Sequence, residues 1–214
     1  MLKRQKVPKS WPIFRKGTKY VVKPMSHFKL GIPVLVVLRD ALKIAQTRKE
    51  AKKMIHGKNV LLNSKVIKDE REGVVLFDVI TLNPMKKSYR LGLSGNGKFI
   101  LEEVKDSESG SKIAKILNKK VLKGKKTQLN LSDGRNFLSD IECKVNDSVL
   151  INFKDKKIDK CVPLKEKAGV VVFAGKHAGK RGNIEKMNSE KKIAELNVDG
   201  KKINVLIKQL MATE

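Results

Sequence analysis

The excess of positive charge constrains this chain more than any other feature of its sequence. Lysine and arginine contribute 48 residues against 22 aspartates and glutamates, which gives a formal net charge of +26. Such a chain repels itself when it is compact, and it attracts polyanions. Nucleic acid is the first partner to expect, because binding it releases condensed counterions. An anionic membrane and a merely solvated basic face are the alternatives, although a net charge of roughly 2–8 already keeps a small domain soluble.

The rest of the composition indicates a cytoplasmic protein of one to three small domains. The 214 residues are 40% hydrophobic, which is enough for packed cores. Cys143 and Cys161 form no CxxC pair, so we expect reduced thiols, no metal site and no cofactor. The longest apolar run, residues 32–38, is too short to cross a bilayer. The N-terminus lacks the apolar segment of a signal peptide.

Residues 1–32 are predicted to form a basic arm. They contain nine lysines and arginines, no acidic residue and three helix-breaking prolines. With so few apolar residues, the arm is not expected to fold alone. It is either a flexible solubilising tail or an arm that orders on RNA, with cations on phosphates and Trp11 stacking on a base or docking. We favour the second interpretation, with these candidate contacts: Lys3, Arg4, Lys6, Trp11, Arg15 and Lys16.

Residues 33–84 are predicted to form a helical hairpin followed by strands. Apolar residues recur at helical spacing from Val34 to Ala45, and Thr47-Arg-Lys-Glu50 fits a capping box that opens a second helix ending at Gly57. Three strands are predicted after it, at residues 60–62, 66–67 and 76–82, the first two joined by a turn at 63–65. On the second helix, basic residues one turn apart form an exposed stripe: Arg48, Lys49, Lys52 and Lys53.

Part of this segment resembles a small RNA-binding domain first named for a bacterial small-subunit ribosomal protein. The resemblance covers the stretch LRDALKIAQTRKEAKKMIHGKNVLLNSKVIKDEREGVVLFDVITL. The matching positions are Arg48, Glu50, Ala51, Ile55, Gly57, Asn63, Lys65, Val66, Asp78 and Ile80. The resemblance implies that the basic helix face and the hairpin lie on structured RNA, which adds Lys58 to the phosphate contacts. The domain also occurs in RNA-modifying enzymes, and an ordinary helical hairpin with a solvated basic face is the plainer alternative.

Residues 85–165 are predicted to form a β-rich central domain. Turn signals separate short β-prone runs into three hairpins, whose strands are expected at 89–93 and 99–104, 127–131 and 136–138, and 149–153 and 157–161. Residues 111–117 favour a short helix with Ile113, Ile116 and Leu117 inward.

Residues 166–214 are predicted to form a small closed barrel of four or five strands. A strand, a glycine-rich turn and a second strand span 169–184, and a hairpin is expected at 194–198 and 203–207. The turn lacks the spacing and the Ser or Thr of a nucleoside-triphosphate loop. It resembles the KOW motif of ribosomal proteins and elongation factors. That resemblance implies contacts to RNA or protein from Lys176, His177, Lys180 and Arg181, while a purely structural turn is the alternative.

The order of the segments is similar to that of one family over nearly the whole chain. The chain begins with a basic arm containing PKSWP, which is followed by the helical RNA-binding hairpin. A β-rich middle with LNLSDGRNFL and KVNDSVLI comes next, and the glycine-rich segment VVFAGKHAGKRGNIEKM comes last. The chain resembles the archaeal form of the small-subunit ribosomal protein four (S-four-e) family of archaea and eukaryotes. The resemblance implies an α+β, multi-domain fold and a non-enzymatic structural role, with small-subunit rRNA and neighbouring ribosomal proteins as partners and no small-molecule substrate.

Three other functions compete with this interpretation. An RNA-modifying enzyme would need a sizeable catalytic domain and a suitably placed aspartate, but Asp133-Gly134-Arg135 lies in a predicted turn. An elongation factor with a KOW barrel would carry a mixed α/β domain where this chain has its β-rich segment. A membrane-surface protein would need a helix with a larger apolar face than residues 47–56 provide.

Overall fold

Antiparallel β structure dominates the fold, and the helices are few and short. The computed structural model describes residues 2–26, 28, 30–139, 141–188 and 190–213. The chain divides into two compact units. The first comprises the residues up to Gly92 together with Lys98–Gly110, and the second comprises Leu93–Gly97 together with the residues from Ser111 onward. The division into segments at residues 32, 84 and 165 stays a prediction.

The first unit combines short helices with short strands. Its strands are β1 (Leu2–Lys3), β2 (Tyr20–Val21), β3 (Gly31–Pro33), β4 (Val60–Leu62), β5 (Lys65–Val66), β6 (Gly73–Val75), β7 (Val79–Leu82), β8 (Lys87–Leu93, whose last residue belongs to the second unit) and β9 (Phe99–Val104). Its α-helices are α1 (Val34–Val36), α2 (Arg48–His56) and α3 (Asp106–Ser109). Strands pair in the orders β1-β2, β3-β6 and β5-β4-β7-β8-β9. Fully buried Ile32, Leu35, Leu38, Ile80 and Leu91 belong to its core.

The first predicted helix is only partly α-helical. Helix α1 continues as π-helical backbone over Val37–Ala41, and the amide of Leu42 donates to the carbonyl of Val37, five residues back. Lys43 then takes a left-handed φ of 55°. The prediction of regular helical spacing as far as Ala45 is therefore wrong in its second half.

The strand predicted for residues 76–82 is interrupted by a turn. Phe77 has a φ of 65°, which ends β6 and separates it from β7. The carboxylate of Asp78 closes this turn by accepting from the amide of Val75 at 2.8 Å. Only the second half of the predicted strand is confirmed.

The second unit contains two five-stranded sheets, of order β12-β11-β10-β13-β14 and β18-β17-β16-β15-β19. The strands are β10 (Ser111–Val121), β11 (Thr127–Leu131), β12 (Asn136–Leu138), β13 (Ser148–Asn152), β14 (Ile158–Val162), β15 (Gly169–Val172), β16 (Arg181–Asn188), β17 (Ile193–Val198), β18 (Lys201–Leu206) and β19 (Leu210–Ala212). Two of the three hairpins predicted for the central segment, β11-β12 and β13-β14, and the hairpin at 193–206 are confirmed here, whereas the third, β8-β9, belongs to the sheet of the first unit. Strand β19, which pairs with β15, was not expected from the sequence.

The helix predicted at residues 111–117 is wrong. This segment is the first part of β10, which pairs with β13 through residues 111–115 and with β11 from Ile116 onward. Ala114 and Ile116 pack in the core of this sheet with Leu129 and Val149. Of the three residues expected to point inward, Ile116 is buried but Leu117 is exposed, whereas Lys112 and Lys115 are buried.

Candidate nucleic-acid interface

The basic arm is folded back on itself by one arginine. The guanidinium of Arg4 donates to the carbonyl of Thr18 at 2.6 Å, to the carbonyl of Phe14 at 2.7 Å and to the hydroxyl of Thr18 at 2.8 Å. Strands β1 and β2 pair next to this loop, and the amide of Phe99 in β9 donates to the carbonyl of Ser10. Three of the five N–H groups of the candidate contact Arg4 thus form hydrogen bonds within the arm, which leaves two for an outside ligand.

Trp11 lies inside the first unit. Its ring is 2% exposed and meets Phe28 edge to face at a centroid distance of 6.4 Å. This placement favours docking over base stacking, the two alternatives that the sequence left open. Phe14 is 87% exposed and Tyr20 is 44% exposed, so both offer an aromatic face to a ligand, Phe14 the larger one.

The other cations predicted in the arm are on its surface. Lys3, Lys6, Arg15 and Lys16 are all exposed, and Arg15 makes one long hydrogen bond, of 3.3 Å, to the carbonyl of Val7. Their ammonium and guanidinium groups can therefore reach phosphate oxygens without any change in the fold of the arm.

Helix α2 begins at the capping box that the sequence predicts. The hydroxyl of Thr47 accepts from the amide of Glu50 at 3.3 Å, and the carboxylate of Glu50 accepts from the amides of Gln46 and Thr47. These hydrogen bonds, that from Gln46 above all, lower the pKa of Glu50. Ala51 and Ile55 are buried beneath the helix, which leaves the predicted basic stripe outward, and all four of its residues are exposed: Arg48, Lys49, Lys52 and Lys53.

A buried carboxylate orients the inner edge of this stripe. Glu70, whose side chain is 4% exposed, accepts two hydrogen bonds from Arg48, the one from Nε at 2.8 Å, and lies 4.0 Å from the ammonium of Lys52. Hydrogen bonding to Glu70, helped by its charge, raises the pKa of Arg48 above its ordinary value. Beside this pair Arg71 binds Asp69 at 2.8 Å and lowers the pKa of that carboxyl. Arg48 is therefore held in place before any ligand arrives, with Lys52 close to the same carboxylate.

A cationic groove lies next to the stripe in the first unit. Its volume is about 720 Å³, and it is bounded by the arm on one side and by the helices on the other. Five cations line it: Lys19, Lys23, Arg39, Arg48 and Arg71. Tyr20, which is 44% exposed, and Leu35 give it an apolar part. Cations around a partly apolar groove suit a phosphate backbone whose bases or sugars contact the floor.

The hairpin after α2 is held in shape by buried side chains, while Ser64, Lys65 and Val66 at its turn are exposed. Asn63 is buried at the turn, donates to the carboxylate of Asp78 at 2.8 Å and accepts from the amide of Val79 at 3.0 Å. Lys58, which precedes this hairpin, is exposed and has a left-handed φ of 56°. The resemblance at Asn63 and Asp78 therefore reflects the fold, whereas Lys58 remains a candidate phosphate contact.

In the second unit the glycine-rich turn is partly enclosed. Gly179 is buried with a φ of 90°, its amide donates to the carbonyl of Val172 at 2.7 Å, and a Cβ there would overlap the carbonyl oxygen of Ser94. Lys176 and Arg181 are exposed, while His177 and Lys180 are half-buried. The close packing explains the need for glycine, and the four predicted side chains sit around this turn.

The structure thus collects the predicted contacts into two groups. The arm, α2 and Lys58 belong to the first unit, and the glycine-turn residues belong to the second. Sequence reasoning did not identify Phe14 as a highly exposed aromatic residue of the arm, nor Arg39 and Arg71 at the groove. It also passed over the lysines at 119–126, although a run of five lysines in eight residues without an acid was a visible signal.

Within the described residues there is no cluster of three or more histidine, cysteine, aspartate or glutamate side chains that could hold a metal ion. Cys143 and Cys161 are free thiols. Among the helices that the structure describes, none is long and apolar enough to cross a membrane.

Comparison with known proteins supplies a family. A model described as ribosomal family S4e matches residues 85–158. The small ribosomal subunit protein eS4 of Methanocella arvoryzae is 41% identical over 189 residues, covering 87% of this chain and 80% of the relative. The same protein of Archaeoglobus fulgidus is 40% identical over 185 residues, covering 86% and 78%.

A solved structure supports the same fold. The crystal structure of the 30S ribosomal protein S4e from Thermoplasma acidophilum aligns with a TM-score of 0.74 at 23% sequence identity. The alignment covers 86% of this chain and 95% of that chain.

Proposed function

The chain belongs to the ribosomal family S4e, and on this premise we propose that it is a structural, non-enzymatic constituent of the small ribosomal subunit that binds and stabilises folded rRNA. The observation that carries the RNA-binding part is the exposed basic stripe of α2, in which the buried Glu70 holds Arg48. Neighbouring ribosomal proteins complete its surroundings in the cytoplasmic ribosome.

The mechanism is electrostatic. Folded rRNA brings phosphates together, and their repulsion opposes the fold unless cations neutralise it. The α2 stripe, the exposed arm lysines and the groove provide such cations on a rigid support. Because Arg48 is already held by Glu70, little side-chain freedom is lost when a phosphate binds.

Phe14 and the arm supply the contacts that charge alone does not. An exposed phenylalanine flanked by Arg15 and Lys16 can stack on an unpaired base while its neighbours bind the adjoining phosphates. Trp11 anchors the arm from inside the unit, so that the remaining arm contacts, Lys3 and Lys6 among them, keep their spacing.

The C-terminal sheet is part of the same proposal as a KOW barrel, within the four-part domain layout predicted from the sequence. Its strand order, β18-β17-β16-β15-β19, and the tight glycine turn after β15 support it. On this view Lys176, His177, Lys180 and Arg181 form a further contact from that turn to rRNA or to a neighbouring protein.

Sedimentation tests the proposed location. The tagged full-length protein from its own cells is run through a sucrose gradient in high salt. Quantitative migration with the small subunit is the expected result. A protein that stays at the top, or leaves the particle as the salt concentration rises, would instead be a transient factor or a modifying enzyme.

Salt-dependent binding tests the proposed surface. Replacing Arg48, Lys49, Lys52 and Lys53 by alanine should reduce the slope of log affinity against log salt for small-subunit rRNA by about three, because each phosphate left without its cation lowers the slope by about 0.7–0.9. The matched control removes four exposed lysines of the second unit: Lys154, Lys156, Lys157 and Lys160. An unchanged slope in the α2 variant, or an equal change in both variants, refutes the assignment of this face.

A further inference from the structure

The central sheet carries a lysine-rich hairpin. Five of the eight residues from 119 to 126 are lysines, and no acidic residue occurs between Glu108 and Asp133. We call residues 119–126, which join β10 to β11, the basic hairpin tip. Neither the α2 stripe nor the glycine turn includes any of these residues.

The tip extends beyond the part of the sheet that is paired on both edges. Strand β10 pairs with β13 only through Ser111–Lys115, whereas its pairing with β11 continues to Val121 opposite Thr127. The amide of Leu122 donates to the carbonyl of Lys126 at 2.8 Å and closes the ribbon. Gly124 at the end has a φ of 80° and open space around it. The tip is therefore a two-stranded ribbon with a defined backbone.

Three lysines of the tip have no acidic partner among the described residues. Lys120, Lys123 and Lys126 are exposed, and none of the carboxylates that the structure describes forms an ion pair with them. Lys119 differs, because its ammonium donates to the carbonyl of Cys143 at 2.9 Å. Val121, which lies among them, is 70% exposed.

The turn between β13 and β14 has a different charge pattern, so the absence of acidic residues at the tip does not follow from the high lysine content of the protein alone. Lys154, Lys156 and Lys157 are exposed there too, but Asp155 stands among them and Asp159 follows closely. Like charges packed on one ribbon repel one another in the free protein, and a polyanion that binds them relieves that repulsion.

We propose that the basic hairpin tip is a separate rRNA contact of this protein, in which Lys120, Lys123 and Lys126 bind phosphates and Val121 packs against the sugar or base between them. The inference rests on the proposed function and adds to it a contact surface on the second unit. A two-stranded ribbon is narrow enough to enter between two converging backbones, where cations on both strands can each meet a phosphate.

The charge pattern selects RNA over an acidic protein. Protein interfaces are depleted of lysine at their centres, because each lysine loses hydration and side-chain entropy there. Phosphate contacts instead gain from counterion release and leave the ammonium partly hydrated. Three exposed lysines around a single apolar residue are therefore better suited to contacts with phosphates than to the centre of a protein interface.

Binding to rRNA extracted from small subunits tests the contact with the full-length protein. Replacing Lys120, Lys123 and Lys126 by glutamine should lower the affinity about tenfold at moderate salt and reduce the salt slope by about two. The control variant replaces Lys154, Lys156 and Lys157 by glutamine and should bind as the wild type does. Equal reductions in the two variants would show a general charge effect and overturn the proposal.

Lysine acetylation of the wild-type protein provides a readout that needs no variant. Mass spectrometry should show Lys120, Lys123 and Lys126 protected in the rRNA complex, while Lys154, Lys156 and Lys157 stay reactive. Tip lysines that remain reactive in a saturated complex would refute the contact. Protection that appears only in intact subunits, and not on rRNA alone, would assign the tip to a protein neighbour instead. A wild-type protein that binds no rRNA at all would contradict the proposed function itself, which separates the two failures.

Discussion

The side-chain nitrogen of Lys115 lies 2.7 Å from the carbonyl oxygen of Leu210. It also donates to the carbonyl of Ile207 at 2.6 Å and lies 5.9 Å from the ring centroid of Phe173. A fully buried lysine of the central sheet thus binds the backbone at the start of β19 and just before it, inside the second unit. Burial lowers the pKa of Lys115 to about 8.

The depressed pKa of Lys115 makes part of the stability of the second unit depend on pH. Between pH 8 and 10.5 the unfolded chain keeps this proton while the folded protein has lost it, so stability rises with pH. We expect the wild type to gain about 2 kcal/mol relative to the Lys115→Met variant between pH 7 and pH 10, measured by urea unfolding at each pH.

The comparison with Lys115→Met is needed because Cys161 has the opposite effect. Burial and its neighbours raise the pKa of this thiol to about 12, so its contribution to stability falls as pH rises through the ordinary thiol pKa. That contribution is common to both proteins and cancels in the difference. A difference that does not vary with pH would mean that Lys115 keeps an ordinary pKa in the folded protein.

Asn63 should be essential to the hairpin that follows α2. Replacing it by alanine removes the hydrogen bonds to Asp78 and from Val79 in a buried place, and it forces alanine into a φ of 50°. We expect a loss of about 2–4 kcal/mol in the free energy of unfolding. The neighbouring Ser64→Ala variant shares the left-handed φ but is exposed, and it should lose about 1 kcal/mol or less. Similar losses of stability in both variants would mean that the side-chain hydrogen bonds of Asn63 contribute little and that only its left-handed backbone conformation matters.

The elements that sequence predicts well are those fixed by neighbouring residues. The capping box at Thr47 and Glu50 determines the start of α2, and the Asp-Gly turn at 199–200 determines the hairpin of β17 and β18. Such signals lie within a few residues of the backbone they direct, so they survive without knowledge of the tertiary fold.

The features that could not be predicted from the sequence depend on partners far along the chain. Lys112 is buried because it pairs with Asp133, and Lys115 because it binds the backbone near β19, so neither looks like a core residue of a strand. In the candidate site, the partner that fixes Arg48 is Glu70, which follows it by 22 residues and is buried by the fold. The basic stripe was predictable, but its support was not.

Thr47 should stabilise α2 without contributing to RNA affinity through charge. Thr47→Ala removes the acceptor for the amide of Glu50 and one donor to its carboxylate, which should cost about 0.5–2 kcal/mol in unfolding. Thr47→Ser keeps the hydroxyl and should remain close to the wild type. Because every cation stays, the salt slope for rRNA binding should not change in either variant, and a reduced slope would show that the cap positions the stripe.

Gly179 should tolerate substitution far less than another glycine of the same conformation. Its φ of 90° and the φ of 77° at Gly200 both disfavour a side chain, but only at Gly179 would the Cβ overlap backbone, at the carbonyl of Ser94. Gly200→Ala meets nothing and should cost about 1 kcal/mol from backbone strain alone. Gly179→Ala should cost at least about 3 kcal/mol, because the overlapping atom is backbone and cannot rotate away. Urea unfolding of both variants measures the difference, and equal losses of stability would mean that the turn can move away from Ser94.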